Sequence, residues 1–352
     1  MNTPTRTPSP TPRPHGAAAP SAPTPASAER RRPPRGGALW RTLLQGHRPL
    51  AWFALAMAVL ALWCAAGALL DGRVVEGEPT WAKPFKFAVS FGLYAGTVAA
   101  MLAHVGRFRR TLWWLGTALV ALFLVPEIAV ITVQAARGVP SHFNVSGALD
   151  GTLYGIMGGA AYAGWLLTLA LGVLLVLQRR ADTAMTWAIG LGVLVSLAGM
   201  STGYLMTAPT PEQIQAMESG AEVAMVGSHG VGGTGAGSMP VTGWETRQGD
   251  LRVAHFVGIH ALQVLPLVAA GLLAAADRFP RLRLAGVRAR LVVVAGLGYA
   301  GLGGLLLWQA LRGQAPLAPD AATLLAAGAL AAAVAAGVAA VLASPPRAAA
   351  RS

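Results

Sequence analysis

The sequence predicts an all-α fold, a polytopic bundle of about eight transmembrane helices, and three observations support this prediction. Hydrophobic residues make up 54% of the 352 residues and charged residues only 12%, a composition typical of membrane proteins. Eight apolar stretches are each long enough, at about 20 residues, to cross the hydrocarbon core of a bilayer. Cationic residues are concentrated in alternate connections between these stretches. The predicted spans are residues 50–70, 84–105, 112–134, 152–176, 184–206, 253–275, 289–311 and 321–343.

The distribution of cations predicts the orientation of the chain. Twenty of the 27 lysines and arginines lie before the first span, after the eighth, or in every second connection between them. Because arginine-rich connections stay in the cytoplasm, we expect both termini inside and a multi-pass protein of the cell inner (plasma) membrane. Juxtamembrane arginines also account for much of the net charge of +13, so the expected partner is the lipid bilayer and not nucleic acid.

The chain divides into an arm, a helical domain and a tail. Residues 1–38 are rich in proline, alanine and arginine and lack a long apolar run, which indicates a disordered cytoplasmic arm. Residues 39–343 form the predicted transmembrane domain, and residues 344–352 form a cytoplasmic tail. The longest connection, residues 207–252, is predicted to be extracytoplasmic, with a short amphipathic helix near 211–223 and a flexible glycine-rich stretch after it.

Two local patterns do not indicate a cofactor site. Gly230, Gly232 and Gly235 match a dinucleotide-binding fingerprint, but that fingerprint requires a strand before it and a helix after it. The single cysteine, Cys64, excludes an intrachain disulfide and a cysteine cluster for a metal. We therefore expect no cofactor and no bound metal.

The second predicted span opens with the motif Trp-x-Lys-Pro-x-Lys-Phe and carries polar residues along one helical face. Its two lysines are the only ones in the chain, since the other 25 cationic residues are arginines. This bias indicates sites that require a compact ammonium group, although lysines at a helix end can also extend to lipid headgroups. The polar residues fall within an arc of about 80°. They are Lys83, Lys86, Ser90, Tyr94, Thr97 and His104.

The third predicted span contains a carboxylate. Glu127 follows Pro126, and Gln134 lies on the same face seven residues later. At a depth of roughly 10 Å the carboxylate must be paired, hydrated or protonated. Proline can free a backbone carbonyl for binding a cation or water. The alternative is a structural pair between Glu127 and a lysine.

The sixth predicted span is polar along one flank. Asp250 and Arg252 introduce it, and His255, His260 and Gln263 follow. On a continuous helix these side chains lie on one side, opposite a face of valine, leucine and alanine. His260 has the depth estimated for Glu127, so the two groups are expected to meet in the bundle interior.

The candidate site residues all belong to the predicted outer half, because the connection before the fourth span adds three more polar residues to the same side. Polar groups within spans are costly, so each is a functional hypothesis. The candidate residues are Lys83, Lys86, Glu127, Arg137, His142, Asn144, Asp250, Arg252, His255, His260 and Gln263.

Three motifs between roughly residues 80 and 267 carry a resemblance to a known family. They are Trp-x-Lys-Pro-x-Lys-Phe, Ser-His-Phe-Asn and Gly-Asp-Leu-Arg-x-x-His-Phe-x-Gly-x-His-x-x-Gln-x-x-Pro. Together they resemble an uncharacterised family of bacterial multi-spanning membrane proteins. The resemblance implies a membrane fold and no particular activity.

Three functions are compatible with these residues. The favoured one is binding and translocation of a small-molecule or ion ligand that is anionic or coupled to protons, with the lysines and arginines receiving it and Glu127 and His260 exchanging protons. Against it, no internal repeat or broken helix pair is recognisable. The second is a membrane redox protein or enzyme with haem or a non-haem metal, held by His142, a helix histidine and Glu127. The third is that the polar residues only hold helices together.

Overall fold

The chain folds into a helical bundle with two short antiparallel ribbons, and the computed structural model describes residues 1, 36–178, 182–232 and 237–345. The ribbons pair β1 (Val74–Val75) with β2 (Glu78–Pro79) and β3 (Gly230–Val231) with β4 (Gly249–Asp250). The helices are α1 (Gly36–Gly46), α2 (Arg48–Leu70), α3 (Ala82–Leu102), α4 (Arg109–Leu119), α5 (Val125–Arg137), α6 (Ala148–Val176), α7 (Thr183–Thr207), α8 (Pro211–Glu218), α9 (Leu251–Ile259), α10 (Ala261–Ala274), α11 (Ala285–Leu311) and α12 (Ala321–Ala343).

The all-α prediction is confirmed, and the predicted spans correspond to helices. In the described parts of the chain, 7 helices are long and apolar enough to cross a membrane. The bent pair α9 and α10 adds an eighth span if the two helices cross together. One of the 7 is the continuous run from Arg109 to Arg137, which comprises α4, a π-helical turn and α5.

Connections that alternate along the sequence meet at one end of the bundle. The Arg73 guanidinium donates to the carbonyl of Ala136 at 2.9 Å, and Asn144 forms a β-bridge with Met225. We call this end, which the positive-inside rule predicts to face outward, the loop end. Its connections are residues 71–81, 138–147, 208–250 and 312–320.

The remaining connections meet at the opposite, arginine-rich end. The Gln178 side chain bonds both the backbone N–H and the carbonyl of Arg107, and Arg288 lies 3.6 Å from Asp182. Since α9 starts at the loop end and the segment after α10 lies at the arginine-rich end, α9 and α10 together cross the bundle once. Counted with this bent pair, the described residues contain eight segments long and apolar enough to cross a membrane, which agrees with the prediction of about eight spans.

The sixth span is broken, so its prediction as one continuous helix is wrong. Helices α9 and α10 meet at His260 with a bend of 45°. At the break the N–H of Gln263 bonds the carbonyl of His260 at 3.0 Å, in place of the carbonyl of Ile259 that it would bond in a regular helix. Two carbonyls next to the break accept side-chain hydrogen bonds instead, Val257 from the Tyr299 hydroxyl at 2.7 Å and Ile259 from the Ser196 hydroxyl at 2.6 Å. These bonds stabilise the break in a setting without water.

The third span contains a π-helical turn, which the sequence analysis did not predict. Residues Val120–Leu124 form this turn, and the N–H of Val125 bonds the carbonyl of Val120. Pro126 follows at the start of α5. Because proline cannot donate to the carbonyl four residues before it, a wider turn absorbs the mismatch and sets the direction of the next side chain, Glu127.

Several boundaries differ from the predictions. Helix α3 ends at Leu102, so His104 lies beyond it and is exposed, whereas the predicted span included it. Helix α1 begins at Gly36, within the predicted arm, and residues 2–35 and 346–352 lie outside the described residues. Helix α8 confirms a short helix in the long connection. The glycine-rich stretch contributes the strand Gly230–Val231, and Gly235 is outside the described residues.

Helices α7 and α9 approach closely through two glycines. A Cβ on Gly199 would lie 2.5 Å from the carbonyl carbon of Gly258, and a Cβ on Gly258 would lie 2.5 Å from the Cα of Gly199. Neither position accommodates a side chain, and the close approach brings the Gly199 carbonyl to the His255 ring, 2.8 Å from its Nδ1.

We expect Gly199→Ala to lower the free energy of unfolding by about 1–3 kcal/mol, because the added methyl group would force α7 and α9 apart. Thermal unfolding of the purified protein in detergent would measure the loss. Gly271→Ala is the matched control, since a Cβ on Gly271 in α10 would meet nothing within 4 Å. Equal stability of the two variants would contradict the close packing.

Candidate functional site

The two lysines of α3 face carboxylates from the hairpin that precedes them. Glu76 and Gly77, at φ 51° and 80°, provide the positive φ values of a type I′ turn between β1 and β2. The Lys86 ammonium lies 2.7 and 3.0 Å from the carboxylate oxygens of Glu78, and the Lys83 Nζ lies 3.8 Å from Glu76 Oε2. Neither glutamate is among the predicted site residues, although their position just before the lysine motif is a signal.

The hairpin is attached to the end of α5. Arg73 binds the Asp71 carboxylate through both Nε and Nη2, and the Trp81 Nε1 donates to the same carboxylate at 2.8 Å. Hydrogen bonds from Arg73 and Trp81 hold the pKa of Asp71 well below its usual range. The Thr80 hydroxyl donates to the carbonyl of Ala135 at 2.9 Å. The glutamates of the hairpin are therefore held in place over the lysines.

Glu127 is buried without a hydrogen-bonding partner. Its exposed fraction is 5%, and among the described residues no hydrogen bond or ion pair reaches its carboxyl group. Lys83 is its electrostatic neighbour. A buried carboxylate with no donor costs several kcal/mol, about 2–7 for an uncompensated polar group and more for a charge. The group is therefore suited to hold a proton or to bind a water or a ligand.

Three imidazoles extend this neighbourhood. The His142 ring lies 5.8 Å from that of Phe87, and the His229 ring lies 4.9 Å from that of Phe143. The positive charge of Lys83 acts on both His142 and His229, and that of Arg252 acts on His229. The His255 ring is an electrostatic neighbour of His142. His229 was missed by the sequence analysis because nothing in the glycine-rich segment around it indicates proximity to the second span.

The buried histidines of the loop end, His142 and His229, are held in the neutral form. Burial lowers the pKa of His142 well below its usual value near 6.5, and the charge of Lys83 lowers it further. Burial likewise lowers the pKa of His229 well below 6.5, with Arg252 as the main nearby charge. The Nδ1 of His255 donates to the carbonyl of Gly199, which leaves its Nε2 as an acceptor.

Arg252 and Asp250 form a forked ion pair at the start of α9. The Arg252 Nε and Nη2 lie 3.0 and 2.7 Å from the two oxygens of Asp250, which is only 1% exposed. The same carboxylate accepts the backbone N–H groups of Arg252 and Glu245. Arg252 also donates to the carbonyl of Gly243 at 2.7 Å. The pair thus joins the long connection to the sixth span.

These residues form one group at the loop end, which we call the loop-end cluster. It brings together residues of α3, α5 and α9 and of the connections 138–147 and 208–250, and the predicted ligand site between the second, third and sixth spans stays a prediction. Its members are Lys83, Lys86, Glu127, His142, His229, Arg252 and His255, together with the paired carboxylates Glu76, Glu78 and Asp250.

His260 and Gln263 lie at the helix break. The His260 Nδ1 donates to the carbonyl of Phe256 at 2.9 Å, and the two rings are 4.3 Å apart. In the described residues, no hydrogen bond or ion pair joins His260 to Glu127. The Oε1 of Gln263 is buried and has no hydrogen-bonding partner within the described parts. The structure therefore places these two residues at the hinge of the sixth span.

Arg137 and Asn144 belong to a separate network between α5 and α6. The Arg137 Nη1 lies 2.5 Å from Asp150 Oδ1 and also donates to Gln134, which is fully buried. The Asn144 Oδ1 accepts the N–H and the hydroxyl of Ser146. These hydrogen bonds join residues of α5, α6 and the connection between them, and none of them reaches Lys83 or Lys86.

The polar face of α3 is closed by local hydrogen bonds below the lysines. The Tyr94 hydroxyl donates to Thr168 Oγ1 at 2.6 Å, and Thr97 donates to the carbonyl of Leu93. A cavity of about 10 Å³ beside Tyr94 and Thr168 approaches the volume that one water requires. Most of the side chains that line this cavity are apolar, so the polar face of α3 ends here in groups that bond locally.

A metal centre finds little support in this geometry. No group of three or more His, Cys, Asp or Glu side chains in the described ranges is arranged to hold a metal ion. The set considered from the sequence, His142 with a helix histidine and Glu127, therefore does not form such a group here.

No family model, curated protein or solved structure matches this chain. The resemblance of its three motifs to a bacterial membrane family stays a prediction. The geometry of the loop-end cluster is therefore the basis for assigning a function.

We expect the stability of the protein to fall as the pH falls below about 6.5, because unfolding lets His142 and His229 take up protons that the native state excludes. The two neutral imidazoles make their full contribution to the free energy of unfolding above pH 6.5. Acidification below pH 6.5 removes this contribution by at most about 1.4 kcal/mol per pH unit for each residue. Thermal unfolding in detergent from about pH 8 to about pH 5 would measure it.

The double variant His142→Gln/His229→Gln should show a shallower dependence on pH. His104→Gln, at an exposed histidine of the other end, is the control and should keep the wild-type slope. A double variant with an unchanged slope would contradict the neutral state of the two imidazoles.

Proposed function

We propose that the protein binds a small solute at the loop-end cluster and translocates it together with a proton across the bacterial inner membrane. In this proposal Glu127 carries the proton and Lys83 provides the neighbouring positive charge. The observation that carries the proposal is the isolation of the Glu127 carboxyl group, which is 5% exposed and has no hydrogen bond within the described chain. Membrane interiors tolerate such a group mainly where it binds a proton or a ligand.

The chemistry of proton exchange is supported by the neighbours of Glu127. A protonated carboxyl group next to an ammonium group changes its proton affinity when a solute arrives or leaves, because the solute alters hydration and charge around it. The neutral imidazoles of His142, His229 and His255 offer acceptors near the same mouth. These rings can hold a water that passes the proton of Glu127 toward the predicted outer side, while His142 and His229 themselves stay neutral.

Alternating access is supported by the two irregular spans. The π-helical turn before Pro126 and the break at His260 place non-helical backbone in the spans that carry Glu127 and His255. Irregular backbone within a membrane is found where it lines a cavity or a substrate path. The sequence counts against transport because no internal repeat or broken helix pair is recognisable in it, and the break at His260 supplies one broken helix pair.

The sequence predicts that the lysines and arginines together receive the solute, and the proposal assigns them separate roles. Lys86, Arg252 and Arg137 each have a carboxylate within 3 Å, so they are charge-compensated. Lys83 has only a distant one, at 3.8 Å, and makes no hydrogen bond within the described parts of the chain. We therefore assign first contact with the solute to Lys83, and assign Arg137 and Asn144 to holding α5 and α6 together.

We expect Glu127→Gln to reduce solute-driven proton movement at least about tenfold, because an amide cannot release a proton. The protein would be reconstituted in vesicles that contain a pH-sensitive dye, and succinate, phosphate or glycine would be added outside. Glu218→Gln, at an exposed glutamate of the long connection, is the matched control. Equal proton movement in wild type and Glu127→Gln would contradict the role of Glu127.

A second measurement does not depend on the identity of the solute. Infrared difference spectra between acidic and alkaline samples should contain the carbonyl band of a protonated carboxylic acid that is absent from Glu127→Gln and retained in Glu218→Gln. Identical spectra for the wild type and Glu127→Gln would show that Glu127 does not exchange a proton.

A further inference from the structure

A tight turn of the long connection lies directly on the cations of the loop-end cluster. The N–H of Thr242 donates to the carbonyl of Pro240 at 2.8 Å, and the N–H of Gly243 donates to the carbonyl of Met239 at 3.0 Å. Between them Val241 has a φ of 69° and is 83% exposed. A β-branched residue rarely adopts positive φ, so the turn stores strain that no packing of the valine side chain offsets.

Two cations hold this turn by adjacent backbone carbonyls. The Lys86 ammonium donates to the carbonyl of Thr242 at 3.0 Å, and Arg252 donates to that of Gly243 at 2.7 Å. Gly243 is required at this point, since its φ is 69° and a Cβ would lie within 1.6 Å of Glu78 Oε1. The backbone of the turn is thus pressed against the ion pairs at the mouth of the cluster.

The arrangement of these donors suits an oxyanion. Two oxygens from neighbouring peptide groups receive hydrogen bonds from two different cations, much as the two oxygens of one carboxylate or phosphate group would. A third cation, Lys83, is close enough to Arg252 and Lys86 for their charges to act on it. Its ammonium forms no hydrogen bond among the described residues, so its donors are available.

The turn is also next to the broken span. The Trp244 ring, directly after the turn, lies 6.0 Å from that of Phe256, and Phe256 stacks on His260 at 4.3 Å. Movement of the turn away from Lys86 and Arg252 would therefore change the packing of Phe256 at the hinge between α9 and α10. This is a physical connection between the mouth of the cluster and the break.

We propose that residues 239–243 are a lid whose Thr242 and Gly243 carbonyls occupy the place of the oxyanion group of the solute, a carboxylate or a phosphate. The proposal rests on the proposed function of the cluster as a solute site. When the anion binds to Lys83, Lys86 and Arg252 it displaces the two carbonyls, and release of the strain at Val241 offsets part of the hydrogen bonding that the turn loses.

The lid is tested with a fluorescent label on a single new thiol. Val241→Cys is suitable because residue 241 is exposed, and the native Cys64 is buried and need not be replaced. The labelled protein is titrated with inorganic phosphate and with succinate, and with chloride at matched ionic strength. We expect a saturable change in fluorescence for phosphate or succinate and none for chloride, and the two titrations decide which oxyanion is preferred.

Two further substitutions in the labelled protein identify the cations involved. Lys83→Gln should weaken the oxyanion response at least about tenfold, since it removes the charge-assisted donor without breaking a hydrogen bond. Arg312→Gln is the matched control, because Arg312 is at the same end but pairs with Asp320. Wild-type thermal unfolding of the labelled proteins would show that they are folded.

The outcomes separate the lid from the solute site. An equal response to chloride would show charge screening alone and overturn the oxyanion assignment. A label that does not respond, while phosphate or succinate still raises the unfolding temperature in a Lys83-dependent way, would overturn the lid and leave the site. A Lys83-dependent response of the label, combined with undiminished proton movement in Glu127→Gln, would support the lid and contradict the proton-coupled function.

Discussion

The architecture of the loop end depends on two interruptions of regular helix within membrane spans, one just before Pro126 and one at His260. Each removes a backbone hydrogen bond where no water is at hand to replace it, so the chain must satisfy the freed groups internally. In the third span the answer is a π-helical turn, and in the sixth it is a break at His260 whose carbonyls are bonded by Tyr299 and Ser196. Both irregularities lie beside the polar cluster.

These irregularities determine which side chains point inward. Glu127 directly follows Pro126, and the break allows α9 to pack on α7 through Gly199 and Gly258. That close contact brings a backbone carbonyl to the His255 ring and selects its tautomer. The positions of the Glu127 carboxyl group and the His255 imidazole therefore follow from the backbone geometry of their spans.

Charge compensation is the second constraint on the site. The acidic hairpin pairs with the lysines of α3, and Asp250 pairs with Arg252, so most of the positive charge at the mouth is already balanced. Unbalanced charges would be costly at the edge of a bilayer. A neutral mouth with one loosely paired ammonium group fits a site that exchanges its partners, whereas the tight network of Arg137, Gln134 and Asp150 fits a purely structural role.

The sequence by itself determined the class of the protein, the positions of its spans and the list of ionisable groups within them, because these follow from local hydrophobicity and length. It also indicated the helix α8. Only the tertiary structure decided that Glu76 and Glu78 compensate the lysines, that His229 joins the cluster and that Asn144 does not. The physical reason is that such contacts join segments far apart in the chain. Neither the path of a loop nor the exact place where a helix breaks follows from residue spacing.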